Sequence, residues 1–137
     1  MATPSMPSVV IVDDDQAFGE FVRSVAQGCG YDVRLVSDGA AFRAGGLPAW
    51  PDPPWPDLIV LDLQMPGADG IELLRSLADG GCTASVLVMS GCDAKVVDAA
   101  RHLGIARGLR MAPVLTKPVR PTELKAVLSD LRQRLDS

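Results

Sequence analysis

Four short apolar runs in this chain each end in a polar residue, and this pattern constrains the fold more than any other feature. Aliphatic and β-branched residues fill the runs, which is typical of strands buried on both faces of a parallel sheet. The runs cover residues 9–12, 58–61, 86–89 and 114–116, and Asp13, Asp62, Ser90 and Lys117 follow them. In open α/β sheets, ligands bind at the carboxyl ends of the strands. We therefore expect carboxylates, a hydroxyl and an ammonium group to meet at one edge, a grouping that suits a divalent cation and a phosphoryl group.

Segments with helical spacing of apolar residues separate these runs, and a further strand is predicted at residues 31–36. Five helices are predicted. The first follows the first strand and ends at Gly28, the second occupies residues 40–44, and the third includes Leu73 and Leu77. The fourth spans residues 93–109, and the fifth begins at Pro121. Five strands alternating with five helices predict an α/β fold, a doubly wound parallel sheet in three layers.

Two segments lie outside this alternation. Residues 45–56 contain five prolines and two tryptophans, which exclude regular structure and predict a surface loop with partly packed indoles. Residues 1–7 look like a loose tail, so a single domain is expected over residues 8–137.

Composition narrows the classes of function. The chain is 47% hydrophobic and 22% charged, as in a globular protein, and its net charge of −4 with no basic run argues against direct binding of nucleic acid. No apolar stretch reaches the roughly 18 to 20 residues that span a bilayer, and the N-terminus lacks signal-peptide features. Cys29, Cys82 and Cys92 have no CxxC spacing, which favours free thiols in a reducing cytoplasm.

Taken together, these landmarks resemble the receiver domain of two-component response regulators over about residues 8–135. The matching segments are VVIVDDDQAF, LIVLDLQMPGADGIELL, VLVMSG and VLTKPVRPTEL. The resemblance implies a flavodoxin-like, five-stranded parallel sheet in the order 2-1-3-4-5. It also implies a Mg²⁺-dependent phosphorylation switch, rather than a turnover enzyme, that receives phosphate from a sensor histidine kinase or a histidine phosphotransfer protein.

The resemblance assigns the acidic residues. Asp62 matches the phosphoacceptor, and a carboxylate can serve as the accepting nucleophile. Asp14, Asp62 and the backbone carbonyl of Gln64 would bind Mg²⁺ (or Mn²⁺) directly, while Asp13 would act mainly through water. Asp15 is interpreted as the N-cap of the first helix. The alternative for Asp62 is a turn or helix-capping aspartate, and the alternative for the acidic pair is a solvated turn.

Lys117 and Ser90 complete the implied site. Lys117 would pair with the phosphoryl oxygens as a point charge, and Ser90 would donate one hydrogen bond to them. Alone, Lys117 would be interpreted as a surface lysine, and for Ser90 the alternative is a serine that starts a loop. The strand-end position of Lys117, with Pro118 after it, favours the functional interpretation; in the family that X–Pro bond is cis.

Departures from the family pattern affect the expected signalling. Val114 stands where the family usually has a tyrosine or phenylalanine. The stretch from Ser90 to Lys117 is longer than usual, which implies an extended fourth helix. The segment from Arg101 also resembles receivers that precede cyclic-di-GMP phosphodiesterase domains, which hints at an output partner in cyclic-di-GMP signalling. A monomer or weak homodimer is expected.

Two other classes of protein fit parts of the pattern. A phosphorylation-independent pseudo-receiver would be an interaction module, but the full set of acids and lysine argues against it. A haloacid-dehalogenase-type phosphatase has a similar order of residues, here Asp13, Asp15, Ser90 and Lys117. Such enzymes need a further acidic motif after the lysine and usually a cap domain, whereas only residues 118–137 follow Lys117.

Overall fold

The structure is a computed structural model that describes residues 6–36, 55–65, 68–91 and 94–135. Its helices are α1 (Gln16–Gly28), α2 (Gly70–Asp79), α3 (Ala94–Ala106) and α4 (Pro121–Leu135). Its strands are β1 (Ser8–Val12), β2 (Asp32–Val36), β3 (Leu58–Asp62), β4 (Gln64–Met65), β5 (Ala68–Asp69), β6 (Ser85–Ser90), β7 (Arg110–Met111) and β8 (Leu115–Thr116). None of the helices in the described ranges is long and apolar enough to cross a membrane.

The main sheet is parallel and has the order β2-β1-β3-β6-β7, with β8 also pairing with β6. This confirms the predicted flavodoxin-like order, but the fifth strand of that order is divided into β7 and β8. The amide of Ala112 still donates to the carbonyl of Val86 at 2.8 Å. Pro113 follows and has no N–H group to continue the ladder, so pairing resumes only at Leu115.

Successive side chains of a strand point to opposite faces of the sheet, so apolar residues lie on both faces. Helices cover each face, which gives three layers. On one face, Val10, Ile59 and Val86 pack with residues of α2 and α3. On the other, Ile11 packs with residues of α1 and α4. The strands are therefore covered on both faces, and their polar ends remain at the edge of the sheet.

The ends of α1 are those that the sequence predicts. The side chain of Asp15 accepts a hydrogen bond from the amide of Phe18 at 3.1 Å, which confirms Asp15 as the N-cap. The helix ends at Gly28, and Gly30 adopts a φ of 91°, a conformation that glycine tolerates best.

The predicted end of the fourth helix at residue 109 is wrong. That helix is α3, which spans only Ala94–Ala106. Gly108 has a φ of 88°, and the amide of Leu109 donates to the carbonyl of Gly104, so the backbone turns away in the usual helix-ending geometry. The remaining residues before Lys117 form β7 and the link to β8. Near this end Gly104 is buried, and a Cβ built there would lie 2.5 Å from the Met111 sulfur, so helix and strand are in close contact.

Other differences concern the connections. β4 and β5 pair in an antiparallel ladder, whereas residues 66 and 67 of the predicted turn lie outside the described residues. The predicted helix at residues 40–44 and most of the proline-rich segment lie outside the described residues. Trp55 is half-buried and packs against the cluster that contains Val10 and Ile59. Pro7, assigned to the tail, is buried, and its carbonyl accepts from the amide of Asp32.

Candidate functional site

Strands β1, β3 and β8 deliver Asp13, Asp62 and Lys117 to one point on the sheet edge. Asp13 directly follows β1, and its amide donates to the carbonyl of Val36 at 3.1 Å, which keeps the backbone in line with β2. Asp62 is the last residue of β3. Lys117 directly follows β8, and its amide donates to the carbonyl of Ser90 at 2.9 Å. Each polar side chain is therefore placed by a strand of the main sheet, and every one of these strands has residues buried in the core.

The Lys117 ammonium group joins the two buried carboxylates. Its Nζ lies 3.1 Å from Oδ2 of Asp62 and 3.5 Å from Oδ2 of Asp13. The side chains of Asp13 and Asp62 are 0% and 3% exposed, whereas that of Lys117 is 23% exposed. One cation thus offsets the repulsion of two carboxylates that share a poorly solvated site.

Burial dominates the electrostatics of Asp13. It raises the pKa of this carboxyl group from its ordinary value of 3.8 to about 6. The hydrogen bond from the Asp15 amide to Oδ1, 2.9 Å long, lowers the pKa, the nearby Asp62 charge raises it, and Lys117 lowers it again. The site consequently favours an added positive charge beside Asp13.

Asp14 completes a carboxylate cluster with these two residues. Asp13, Asp14 and Asp62 each offer an oxygen atom, and these atoms lie within 4.8 Å of one another. Asp14 is exposed, so its carboxylate faces solvent. Gln64 begins β4, two residues after Asp62. A set of carboxylate oxygens is the donor type that Mg²⁺ and Mn²⁺ prefer, so the residues present fit such an ion.

Ser90 lies at the neighbouring strand end. It is the last residue of β6, is fully buried, and lies opposite Thr116 in the ladder. Asp62 lies opposite Met89, the residue before Ser90. The structure therefore places the predicted hydroxyl residue beside the strand that carries Asp62.

Val114 borders a groove between α3 and β8. It is half-buried, and the groove has a volume of about 360 Å³. Val97 and Arg101 of α3 line the same groove, together with Thr116. No aromatic side chain is among the described residues that line it. The groove is thus bounded by Val114 on one side and by residues of α3 on the other.

One contact of the site was missed by reasoning from sequence. The Lys117 Nζ lies 4.2 Å from the centroid of the Phe18 ring. Phe18 occurs at the helical spacing of apolar residues in α1, which predicts a core position and nothing more. The sequence did contain one indication of this contact. Phe18 lies three residues after the N-cap Asp15, so it belongs to the first turn of α1, beside the end of β1.

Comparison with known proteins agrees with this geometry. The sequence model of the family described as "Response regulator receiver domain" matches residues 9–129. The DNA-binding response regulator MtrA of Mycolicibacterium smegmatis is 35% identical over 130 residues, which cover 93% of this chain and 52% of the relative. The alkaline phosphatase synthesis transcriptional regulatory protein SphR of Synechococcus elongatus is 32% identical over 92% of this chain and 49% of the relative. This chain spans about half the length of these curated relatives.

A solved structure shows the same likeness. The crystal structure of a response regulator from Colwellia psychrerythraea superposes with a TM-score of 0.79 and is 31% identical, covering 95% of this chain and 99% of that one.

Proposed function

Because this chain belongs to the response regulator receiver domain family, we propose that Asp62 accepts a phosphoryl group and that the domain is a phosphorylation switch in two-component signalling. The observation that supports this most is the ion pair between buried Asp62 and Lys117, next to Asp13 and Asp14. A sensor histidine kinase or a histidine phosphotransfer protein would donate the phosphoryl group.

Asp62 would act as the nucleophile. One oxygen of its carboxylate attacks the phosphorus of a phosphohistidine, an O–P bond forms as the P–N bond breaks, and the imidazole leaves and takes up a proton. The strand fixes the Asp62 backbone, and the hydrophobic residues on both faces limit access of water from within the sheet. The reaction therefore takes place at the solvent-facing edge, where Asp14 is exposed.

The carboxylate cluster would hold Mg²⁺ or Mn²⁺. Asp14, Asp62 and the backbone carbonyl of Gln64 are the proposed direct ligands, and Asp13 would contribute through water. When bound, the ion supplies positive charge that offsets the repulsion between the carboxylates and an incoming phosphoryl group.

Lys117 and Ser90 would stabilise the transferred group. Lys117 already contacts Asp62, so its ammonium group can form a charge-assisted hydrogen bond to a phosphoryl oxygen attached there. Ser90 has one O–H donor, which suits a second phosphoryl oxygen. These two residues act by charge and hydrogen bonding, whereas Asp62 alone changes covalently.

The proposed function also implies protein partners. Receiver domains interact with histidine kinases, and this chain would do so in the cytoplasm as a monomer or weak homodimer. Two alternatives exist for the output. MtrA is named as a DNA-binding regulator, and this chain covers 52% of it, so a DNA-binding output would lie beyond the matched region. A partner in cyclic-di-GMP signalling is the output suggested by the segment from Arg101.

Intact mass after incubation with acetyl phosphate and Mg²⁺ tests the proposal. We expect one added phosphoryl group that hydroxylamine removes, and no addition to the Asp62→Asn variant. Asp79→Asn, which changes an exposed aspartate at the end of α2, is the matched control and should react like the unmodified chain. A pseudo-receiver would gain no phosphoryl group, and a phosphatase would consume the donor over many turnovers.

A further inference from the structure

The Lys117 ammonium group has a third neighbour besides its two carboxylates. The face of the Phe18 ring lies 4.2 Å from Nζ, well within the roughly 6 Å over which a ring attracts a cation. Asp62 and Asp13 lie 3.1 and 3.5 Å from the same nitrogen. The ammonium is therefore enclosed by two acids and an aromatic ring, and its side chain is only 23% exposed.

The position of Phe18 is fixed from the same acidic segment. Oδ1 of Asp13 accepts from the Asp15 amide, and Oδ1 of Asp15 accepts from the Phe18 amide, at 2.9 and 3.1 Å. The Phe18 ring then contacts Lys117, which returns to Asp13. These contacts connect the backbone of the segment after β1 with the side chain of Lys117, which follows β8.

Other aromatic and apolar side chains also contact the Phe18 ring. The centroid of the Phe21 ring lies 5.7 Å from that of Phe18, with the planes tilted by 53°, a favourable aromatic geometry. Phe18 also packs against the apolar cluster that contains Val22 and Leu124. The ring is thus held in place by contacts within α1 and with the apolar cluster, and these contacts do not depend on Lys117.

We propose that Phe18 is a positioning residue, which keeps the Lys117 ammonium group beside Asp62 while the lysine exchanges its carboxylate oxygen for a phosphoryl oxygen. This inference rests on the proposed phosphoryl transfer to Asp62.

The chemistry of the exchange explains the need for the ring. Phosphorylation converts the Asp62 carboxylate into an acyl phosphate, a mixed anhydride whose carboxyl oxygens no longer carry the negative charge, so the ion pair at 3.1 Å loses its partner charge as the phosphoryl group arrives. Asp13 remains, but a carboxylate that binds the ammonium tightly would hold it away from the phosphoryl oxygens. A ring attracts the cation without a directional acceptor, so it restricts escape to solvent and leaves the N–H groups free to reorient.

Two variants of Phe18 separate this role from simple packing. Phe18→Leu keeps an apolar side chain and removes the ring, whereas Phe18→Tyr restores a ring. We expect the rate of phosphorylation by acetyl phosphate to fall about three- to tenfold in Phe18→Leu and to stay within about twofold of the unmodified chain in Phe18→Tyr. Phe21→Leu removes a ring of the same size one turn along α1 and should have a smaller effect than Phe18→Leu.

NMR of the Lys117 side chain supplies a readout that does not depend on phosphoryl transfer. In the unphosphorylated chain, the protons on Cε of Lys117 should show an upfield ring-current shift, which Phe18→Tyr keeps and Phe18→Leu loses. If Phe18→Leu does not fold, Phe18→Met replaces it in both measurements.

The outcomes distinguish the two proposals. If the unmodified chain takes up no phosphoryl group, the proposed function fails whatever the NMR shows. If it does, an unchanged or faster rate in Phe18→Leu, a Phe18→Tyr variant as slow as Phe18→Leu, or the absence of the ring-current shift would overturn the positioning role.

Discussion

The ammonium nitrogen of Lys117 lies 3.1 Å from Oδ2 of Asp62, so the proposed phosphoacceptor has a cationic partner before any phosphoryl group arrives. Both groups are largely withdrawn from water. In the unphosphorylated state, Lys117 thus already contacts the side chain that would carry the phosphoryl group. Replacing either Lys117 or Asp62 should therefore change the stability of the protein as well as its rate of phosphorylation.

Lys117→Met is expected to destabilise the metal-free protein. Two buried carboxylates would be left without their cation, and we expect the free energy of unfolding to fall by about 1–3 kcal/mol, less than for a fully buried pair because Lys117 is partly exposed. Urea denaturation with EDTA measures this. Lys125→Met, at an exposed position of α4, is the control, and an equal loss in both variants would contradict the prediction.

Asp13→Asn should alter the pH dependence of stability. Burial raises the folded pKa of Asp13 to about 6, against an ordinary 3.8, so between these values the folded state binds the additional proton. The free energy of unfolding therefore falls as pH rises through that window, and the penalty is complete above about pH 6. Without metal, Asp13→Asn should lack this penalty and be more stable at pH 7, by up to about 3 kcal/mol.

Urea denaturation at several pH values with EDTA gives the difference between Asp13→Asn and the unmodified chain. This difference should grow in favour of the variant from pH 4 to pH 6 and then level off. Asp79→Asn, at an exposed site, should show no such trend. A difference independent of pH would show that Asp13 does not titrate in this range.

Metal binding should depend more on Asp14 than on Asp13. Both belong to the cluster of three carboxylates, but Asp14 is the proposed direct ligand, and the Asp13 oxygens already have partners in Asp15 and Lys117. Calorimetric titration with Mg²⁺ should show weaker binding for Asp14→Ala than for Asp13→Ala. Trp55, half-buried against the core, offers a fluorescence signal for the same titration. Equal or reversed effects would refute this division of roles.

The strand ends and helix cap could be predicted because local chemistry determines them. Asp62 follows a buried aliphatic strand, and Asp15 precedes a helical pattern, so neither needs distant information. The contact between Phe18 and Lys117 could not be predicted, because it joins residues 99 positions apart whose side-chain directions depend on packing. The length of α3 was misjudged because its apolar spacing continues to Leu109, whereas Gly108 turns the backbone first.

Beryllofluoride with Mg²⁺ should change hydrogen exchange mainly in residues 90–111. Val114 is β-branched and restricted at χ1, so it cannot turn inward as a large ring would, and movement must pass through the loop after Ser90 and through α3. A ligand shifts the ensemble only by its differential affinity for the two states, so the change should be modest. Protection changes centred on residues 112–116, with α3 unaffected, would exclude this route.

The close approach of Gly104 to Met111 gives α3 two unequal ends. Near its C-terminus the helix rests almost directly on β7, with no room for even a methyl group unless the methionine moves. Near its start, Ala94, Lys95 and Val96 are exposed and follow Ser90 by only a few residues in the sequence. Because α3 is in close contact with β7 near its C-terminus while its first residues are exposed, we expect a displacement at the proposed phosphorylation site to move the first turn of α3 more than the backbone around Gly104.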